Sequence, residues 1–151
     1  MTAPDEELLE SHRILAEHEL LRREIRDLGQ CADGLLLAAS RPSWILELAA
    51  RIEHLRPRLA EHFAREVECG FFDRLAEEWP NCEPACRELE ADHYDLLVEL
   101  DAVSHGVRAG RLDVGEAVRR TRTTLGRLAR HEERENDLLH RTLEGGAPAL
   151  D

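Results

Sequence analysis

Chain-breaking residues are sparse in this sequence, and their placement constrains the fold more than any other feature. Strong turn signals fall in three places. The first is Ser40-Arg41-Pro42-Ser43, where proline cannot continue a helix and Ser43 can cap a new one. The second is Trp79-Pro80-Asn81-Cys82-Glu83-Pro84, with Pro84 suited to the first position of the next helix. The third is Gly110-Arg111-Leu112-Asp113, where Asp113 and Glu116 have capping-box spacing. The segments between them are long and helix-prone. Leu, Ala, Glu and Arg make up 85 of the 151 residues, and Val, Ile and Thr only 15. Unbranched side chains lose little freedom in a helix, whereas β-branched ones lose more. The sequence therefore predicts an all-α single domain over 1–151, with helices at about 5–39, 43–79, 84–108 and 113–143. Pro57 should kink the second helix, Gly29 and Gly34 should weaken the end of the first, and Gly145-Gly146 should close the fourth. Three short connections between long helices imply an up-down-up-down antiparallel four-helix bundle.

Helical periodicity places one histidine on the apolar stripe of each helix. His18 shares a face with Ile14, Leu15, Leu21, Ile25 and Leu28. His62 lies with Ile52, Leu55, Leu59, Cys69 and Phe72, and His93 with Leu89, Leu96, Leu97, Leu100 and Val103. The stripe around His131 is the weakest, with Val114, Ala117, Thr121, Thr124, Leu128 and Leu138. In an antiparallel pair, two residues face each other when the turn lies midway between them. The midpoint of His18 and His62 is residue 40, in the first turn. That of His93 and His131 is 112, in the third, and that of His62 and His93 falls between 77 and 78, close to Pro80. Four inward histidines at one height are the arrangement of a bundle-core metal site. His12, His54, His105 and His140 fail this test or lie off the stripes, and are expected at the surface or its boundary.

Two of the core histidines begin an HxxxE pair, His62/Glu66 and His131/Glu135. Residues four apart stack on one helix face, so both members of each pair can reach one cluster. The pattern alone is weak, since His140 and Glu144 match it too. Its force comes from the inward position of Glu66 and Glu135, because two buried carboxylates facing each other call for a cation between them. The expected ligands are thus His18, His62, Glu66, His93, His131 and Glu135. Four imidazoles and two carboxylates suit iron, and also manganese or zinc. Leu15, Leu21, Leu59, Leu97 and Leu128, one turn from these ligands, would limit water access.

The order H…HxxxE…H…HxxxE resembles the hemerythrin-like HHE cation-binding domains, over residues 8 to 143. The resemblance implies two non-haem irons joined by an oxo or hydroxo bridge and by two carboxylates. By position, Glu66 and Glu135 would be those carboxylates. His18 and His62 would serve one iron, His93 and His131 the other. The oxygen-carrying hemerythrins have a second histidine one turn further along the third helix, and this chain has Leu97 there. The iron beside His93 is then one protein ligand short. Water, or a nearby residue such as Glu90, Tyr94 or Glu132, would complete it, or the metal would be weakly held.

The chain carries 32 acidic residues and 20 basic ones, all arginine, for a net charge of −12. Such a surface repels a phosphate backbone, which argues against nucleic-acid binding. The acidic start lacks the apolar stretch of a secretory signal, and no run is long enough to span a bilayer. A cytoplasmic protein with four reduced cysteines is the expectation. Its partner would be dioxygen, peroxide or nitric oxide, held by a binding or sensing protein or consumed by an oxidoreductase. A third reading is an iron-responsive interaction domain. Cys69 and Cys86 each stand seven residues from a core histidine and should face each other, either as packing residues or as a redox-linked dithiol. Cys82 is an alternative partner, and Cys31 lies off the stripe.

Overall fold

The structure, a computed structural model, describes residues 3–37 and 42–143. The described residues form five α-helices: α1 (Ala3–Leu37), α2 (Pro42–Glu68), α3 (Phe71–Glu78), α4 (Glu83–Arg108) and α5 (Val114–Leu143). A 3-10 turn over Pro80–Cys82 joins α3 to α4, and the described residues contain no strand. Cross-helix pairs fix the directions. Glu17–Arg65 and Glu24–Arg58 descend α1 as they climb α2. Glu53–Arg108 and Arg56–Asp101 do the same for α2 and α4, and Glu99–Arg120, Asp92–Arg127 and Glu88–Arg134 for α4 and α5. Asp33–Arg122 and Arg22–Glu132 close the ring between α5 and α1. Each of these neighbouring pairs is therefore antiparallel, as the short connections predict.

Three boundaries differ from the sequence reading. The expected helix over 43–79 is broken after Glu68. Gly70 takes φ 69°, a left-handed conformation that ends the helical run, and α3 starts at Phe71. Pro57, by contrast, lies inside an uninterrupted α2. Pro42, not Ser43, opens α2, so Ser43 is its second residue and not its cap. Residues 38–41 of the first expected turn lie outside the described residues, as does Gly145-Gly146. At α4, Glu83 is the first residue and Pro84 the second. Asp113 does cap α5: its Oδ1 accepts from the Glu116 backbone N–H at 2.8 Å. The reciprocal half of the capping box is replaced by an ion pair from Glu116 to Arg119.

The core divides into two apolar layers. One contains Leu21, Leu28, Leu59, Phe63, Leu96, Leu100 and Leu128. The other, beneath α3, contains Ile14, Phe71, Phe72, Leu75, Leu89, Leu138 and Leu139. The core histidines sit between the two. On α5 the weak stripe is buried from Ala117 to Leu138, with Val114 only partly so, and the hydroxyls of Thr121 and Thr124 donate to the carbonyls of Ala117 and Arg120, which satisfies them locally.

Candidate metal centre

All six expected residues converge. His18, His62, Glu66 and Glu135 bring ligand atoms within 4.8 Å of one another, and so do Glu66, His93, His131 and Glu135. Both carboxylates belong to both groups. The register that the turns impose is visible in the rings: His18 and His62 lie 4.8 Å apart between centroids, and His93 and His131 4.9 Å, each edge to face. The i,i+4 relation works as geometry requires, with Nε2 of His62 at 2.8 Å from Glu66 and Nε2 of His131 at 2.8 Å from Glu135. Across the bundle, His18 Nε2 approaches Glu66 at 3.2 Å and Glu135 at 3.3 Å, and His93 Nε2 approaches the same two carboxylates at 3.3 and 3.4 Å. His12, His54, His105 and His140 are exposed, as expected.

The four Nε2 atoms thus point inward, and in His18 and His62 the Nδ1 side is held from outside. His18 Nδ1–H donates to Asn136 Oδ1 at 2.8 Å. His62 Nδ1–H donates to Glu17 at 2.9 Å, and Glu17 is itself fixed by Arg65. Asp92 stands 3.7 Å from His131 Nδ1. Acceptors on the Nδ1 side leave the Nε2 lone pair free in the neutral imidazole, which is how outer residues orient metal-ligating histidines. Phe63 lies flat on His93, with centroids 3.9 Å apart and planes 7° from parallel, and meets His131 edge-on. Glu17, Asp92, Asn136 and Phe63 escaped the sequence reading. Glu17, Phe63 and Asp92 each adjoin a core histidine in the chain, which is the one local signal available; Asn136 follows Glu135 in the same way.

Without a cation this polar layer is held by protons. Burial alone would lower the pKa of His18, but the facing carboxylates of Glu135 and Glu66 outweigh it and raise it to about 10. Burial likewise opposes and the same carboxylates raise His93, to about 9, and His62 is raised chiefly by Glu66. Burial and mutual repulsion would raise the carboxylates, yet the histidines hold Glu66 at about 2 and Glu135 well below its ordinary value. Even so the layer is incompletely satisfied. His62 Nε2, His131 Nε2, Glu66 Oε2 and Glu135 Oε2 are buried without a hydrogen-bond partner. Unmatched inward nitrogen and oxygen donors on a shared carboxylate pair fit a cation.

The three candidates for the position next to Leu97 do not supply it. Tyr94 is 73% exposed. Glu90 pairs with Arg87. Glu132 is buried but turns towards α1, where Arg22 lies 3.6 Å away, and not towards His93. Leu97 itself packs, half-buried, against the first apolar layer.

Cys82 and Cys86 are fully buried, and Cys69 packs half-buried beside them. All four thiols are free. Burial pushes each of them up, Cys86 to about 11 with the neighbouring Cys82 adding to the rise. Thiols so raised are poor nucleophiles at neutral pH, which favours packing over a reactive dithiol.

A helical bundle with paired His/Glu groups in its core is a cation-binding scaffold of the bundle-core type. The family profile of the hemerythrin HHE cation-binding domain matches residues 9–149. The chain belongs to that family. No curated protein and no solved structure gives a significant match to it. No helix among the described residues is long and apolar enough to cross a membrane.

Proposed function

We propose that this chain holds two iron ions, one between His18 and His62 and the other between His93 and His131, with Glu66 and Glu135 shared by both, and that it binds or senses dioxygen or a related small molecule there. The observation that carries the reading is that the two four-residue ligand groups have both carboxylates in common. Manganese or zinc would be accepted by the same donors. Iron in such a pair supplies redox chemistry towards dioxygen, peroxide or nitric oxide. The protein's own part is to orient and to dry the site. Asn136 and Glu17 fix the rings of His18 and His62. Phe63 and Phe72 cover His93, and Leu21, Leu59 and Leu128 exclude water from above. A dry pocket favours reversible binding.

One observation favours a second reading, turnover of peroxide or nitric oxide. His93 is the most exposed of the four core histidines, at 7%, and a leucine stands one turn beyond it where a further ligand would be. That side is poorer in ligands. Optical spectra of the iron-loaded chain separate the two. Spectral changes that reverse over repeated oxygenation and deoxygenation support binding. Sustained peroxide or nitric oxide consumption with no reversible change supports turnover and would replace the first reading.

A further inference from the structure

Between α1 and α5 a groove of about 510 Å³ ends at a carboxylate that the ligand set does not use. Its lining includes Arg22, Arg26, Glu132, Glu133, Asn136 and Asp137. Two of these connect it to the centre. Asn136 holds His18. Glu132 is only 3% exposed, and its charge is within electrostatic reach of His18, His62 and Glu135. One of its oxygens faces Arg22 at 3.6 Å, while Oε1 is buried with no hydrogen-bond partner. Yet Glu132 lies outside both groups of clustered ligand atoms. A buried carboxylate with an unsatisfied oxygen is costly, and burying it beside a site that already has two carboxylates costs more.

We propose that the α1/α5 groove is the path by which a divalent cation enters the centre, and that Glu132 is its transit ligand, taking the ion through the free oxygen and passing it to His18 and the shared carboxylates. The proposal rests on the metal reading above. An entering ion sheds water, and each lost water must be replaced by a donor if the step is not to carry a large desolvation penalty. The apolar layers above and below the centre offer no side-chain oxygen or nitrogen, and the thiols of Cys82 and Cys86 in the lower one are fully buried. The exposed edge of His93 is covered by Phe63 and Phe72, which offer none either. The groove offers Glu133 and Asp137 at its mouth and Glu132 at its floor, against Arg22 and Arg26. Arg22 also pairs with Glu19 at 3.0 Å, so its guanidinium can stay anchored when it gives up Glu132 to a cation.

Rapid-mixing measurement of Co²⁺ uptake by the metal-free full-length chain tests this, read from the visible bands of bound Co²⁺ and, at equilibrium, from Co²⁺ content after dialysis. Glu132→Gln keeps the shape and removes the charge. It is expected to slow uptake about tenfold or more while the final Co²⁺ content stays that of the unmodified chain. Slowing of less than about twofold overturns the path, and a lower equilibrium content overturns the transit role by making Glu132 a resident ligand. Arg22→Gln, at a half-exposed position, is expected to accelerate uptake, and keeps the test decisive if Glu132→Gln does not fold; a rate that is unchanged or lower overturns the proposal. Failure of the unmodified chain to take up Co²⁺ would instead refute the metal reading itself.

Discussion

Stripping the metal and raising the pH should destabilise this protein, and the metal-loaded chain should respond in the opposite sense. In the metal-free state the buried carboxylates are neutralised by imidazolium groups. Despite burial, which opposes charge, the facing carboxylates of Glu135 and Glu66 lift His18 from 6.5 to about 10 and His93 from 6.5 to about 9. A group that binds its proton more tightly when folded contributes stability that is complete below its unfolded pKa, here 6.5, and lost as the pH climbs to the folded value. At about 1.4 kcal/mol for each tenfold change in proton affinity, His18 accounts for roughly 5 kcal/mol and His93 for roughly 3 kcal/mol. Both lean on the same two carboxylates, so the two figures overlap. Even the larger alone is comparable with the whole stability of many domains, about 5–15 kcal/mol. Glu66, held at about 2 where 4.5 is usual, works on the other flank: its contribution is present above 4.5 and lost as the pH falls towards 2. The metal-free chain is therefore most stable between about pH 4.5 and 6.5 and weakens towards pH 10. Metal binding needs neutral imidazoles, so its stabilisation grows with pH. Urea unfolding in chelator and in excess metal, at several pH values from 5 to 10, measures both curves. Metal-free stability that stays level or rises between pH 6.5 and 9 would refute the proton-bridged description of the core.

Three other outcomes follow from particular contacts. Leu97→His should add a ligand beside His93, shift the optical spectrum of the iron-loaded chain and lower peroxide turnover; unchanged spectra and kinetics would mean that position 97 does not reach the centre. Asn136→Leu removes the acceptor that holds His18 Nδ1 and should weaken metal affinity by about 10–100-fold, measured by competition with a chelator. A Cβ added at Gly106 would lie 2.7 Å from Cγ of Leu112, whose backbone N–H is tied to the Gly106 carbonyl. Gly106→Ala should therefore cost about 1–3 kcal/mol in chemical unfolding, whereas Gly126→Ala, with open space around it, should cost nothing or add stability.

The histidines show what could be read from the sequence and why. Their inward position follows from helical period, and their common height follows from chain length on either side of a turn. Both are one-dimensional quantities, so His18, His62, His93 and His131 meet where counting places them. Glu66 and Glu135 follow from i,i+4 stacking on the same grounds. The break at Gly70 was not legible because a single glycine in a helical pattern is usually tolerated; the left-handed φ that ends α2 is a tertiary choice, made with α3 burying Phe71 and Phe72. Glu132 shows the limit of linear proximity. It adjoins His131 in the chain and stands near enough in sequence to be a candidate ligand beside His93, but the next residue along a helix is turned by about 100°, which takes it across to Arg22 on α1. Asn136 and Asp92 reach their histidines from neighbouring helices, through rotations about the helix axis that no spacing rule supplies.

Metal content after anaerobic loading with Fe²⁺ and removal of excess tests the central claim most directly, with the unmodified chain measured alongside Glu66→Ala and Glu135→Ala. Two irons per chain are expected in the unmodified protein, and marked loss of both from either variant, because each carboxylate is shared by the two sites. One iron or none in the unmodified chain, or two irons kept in either alanine variant, would contradict the shared-carboxylate centre.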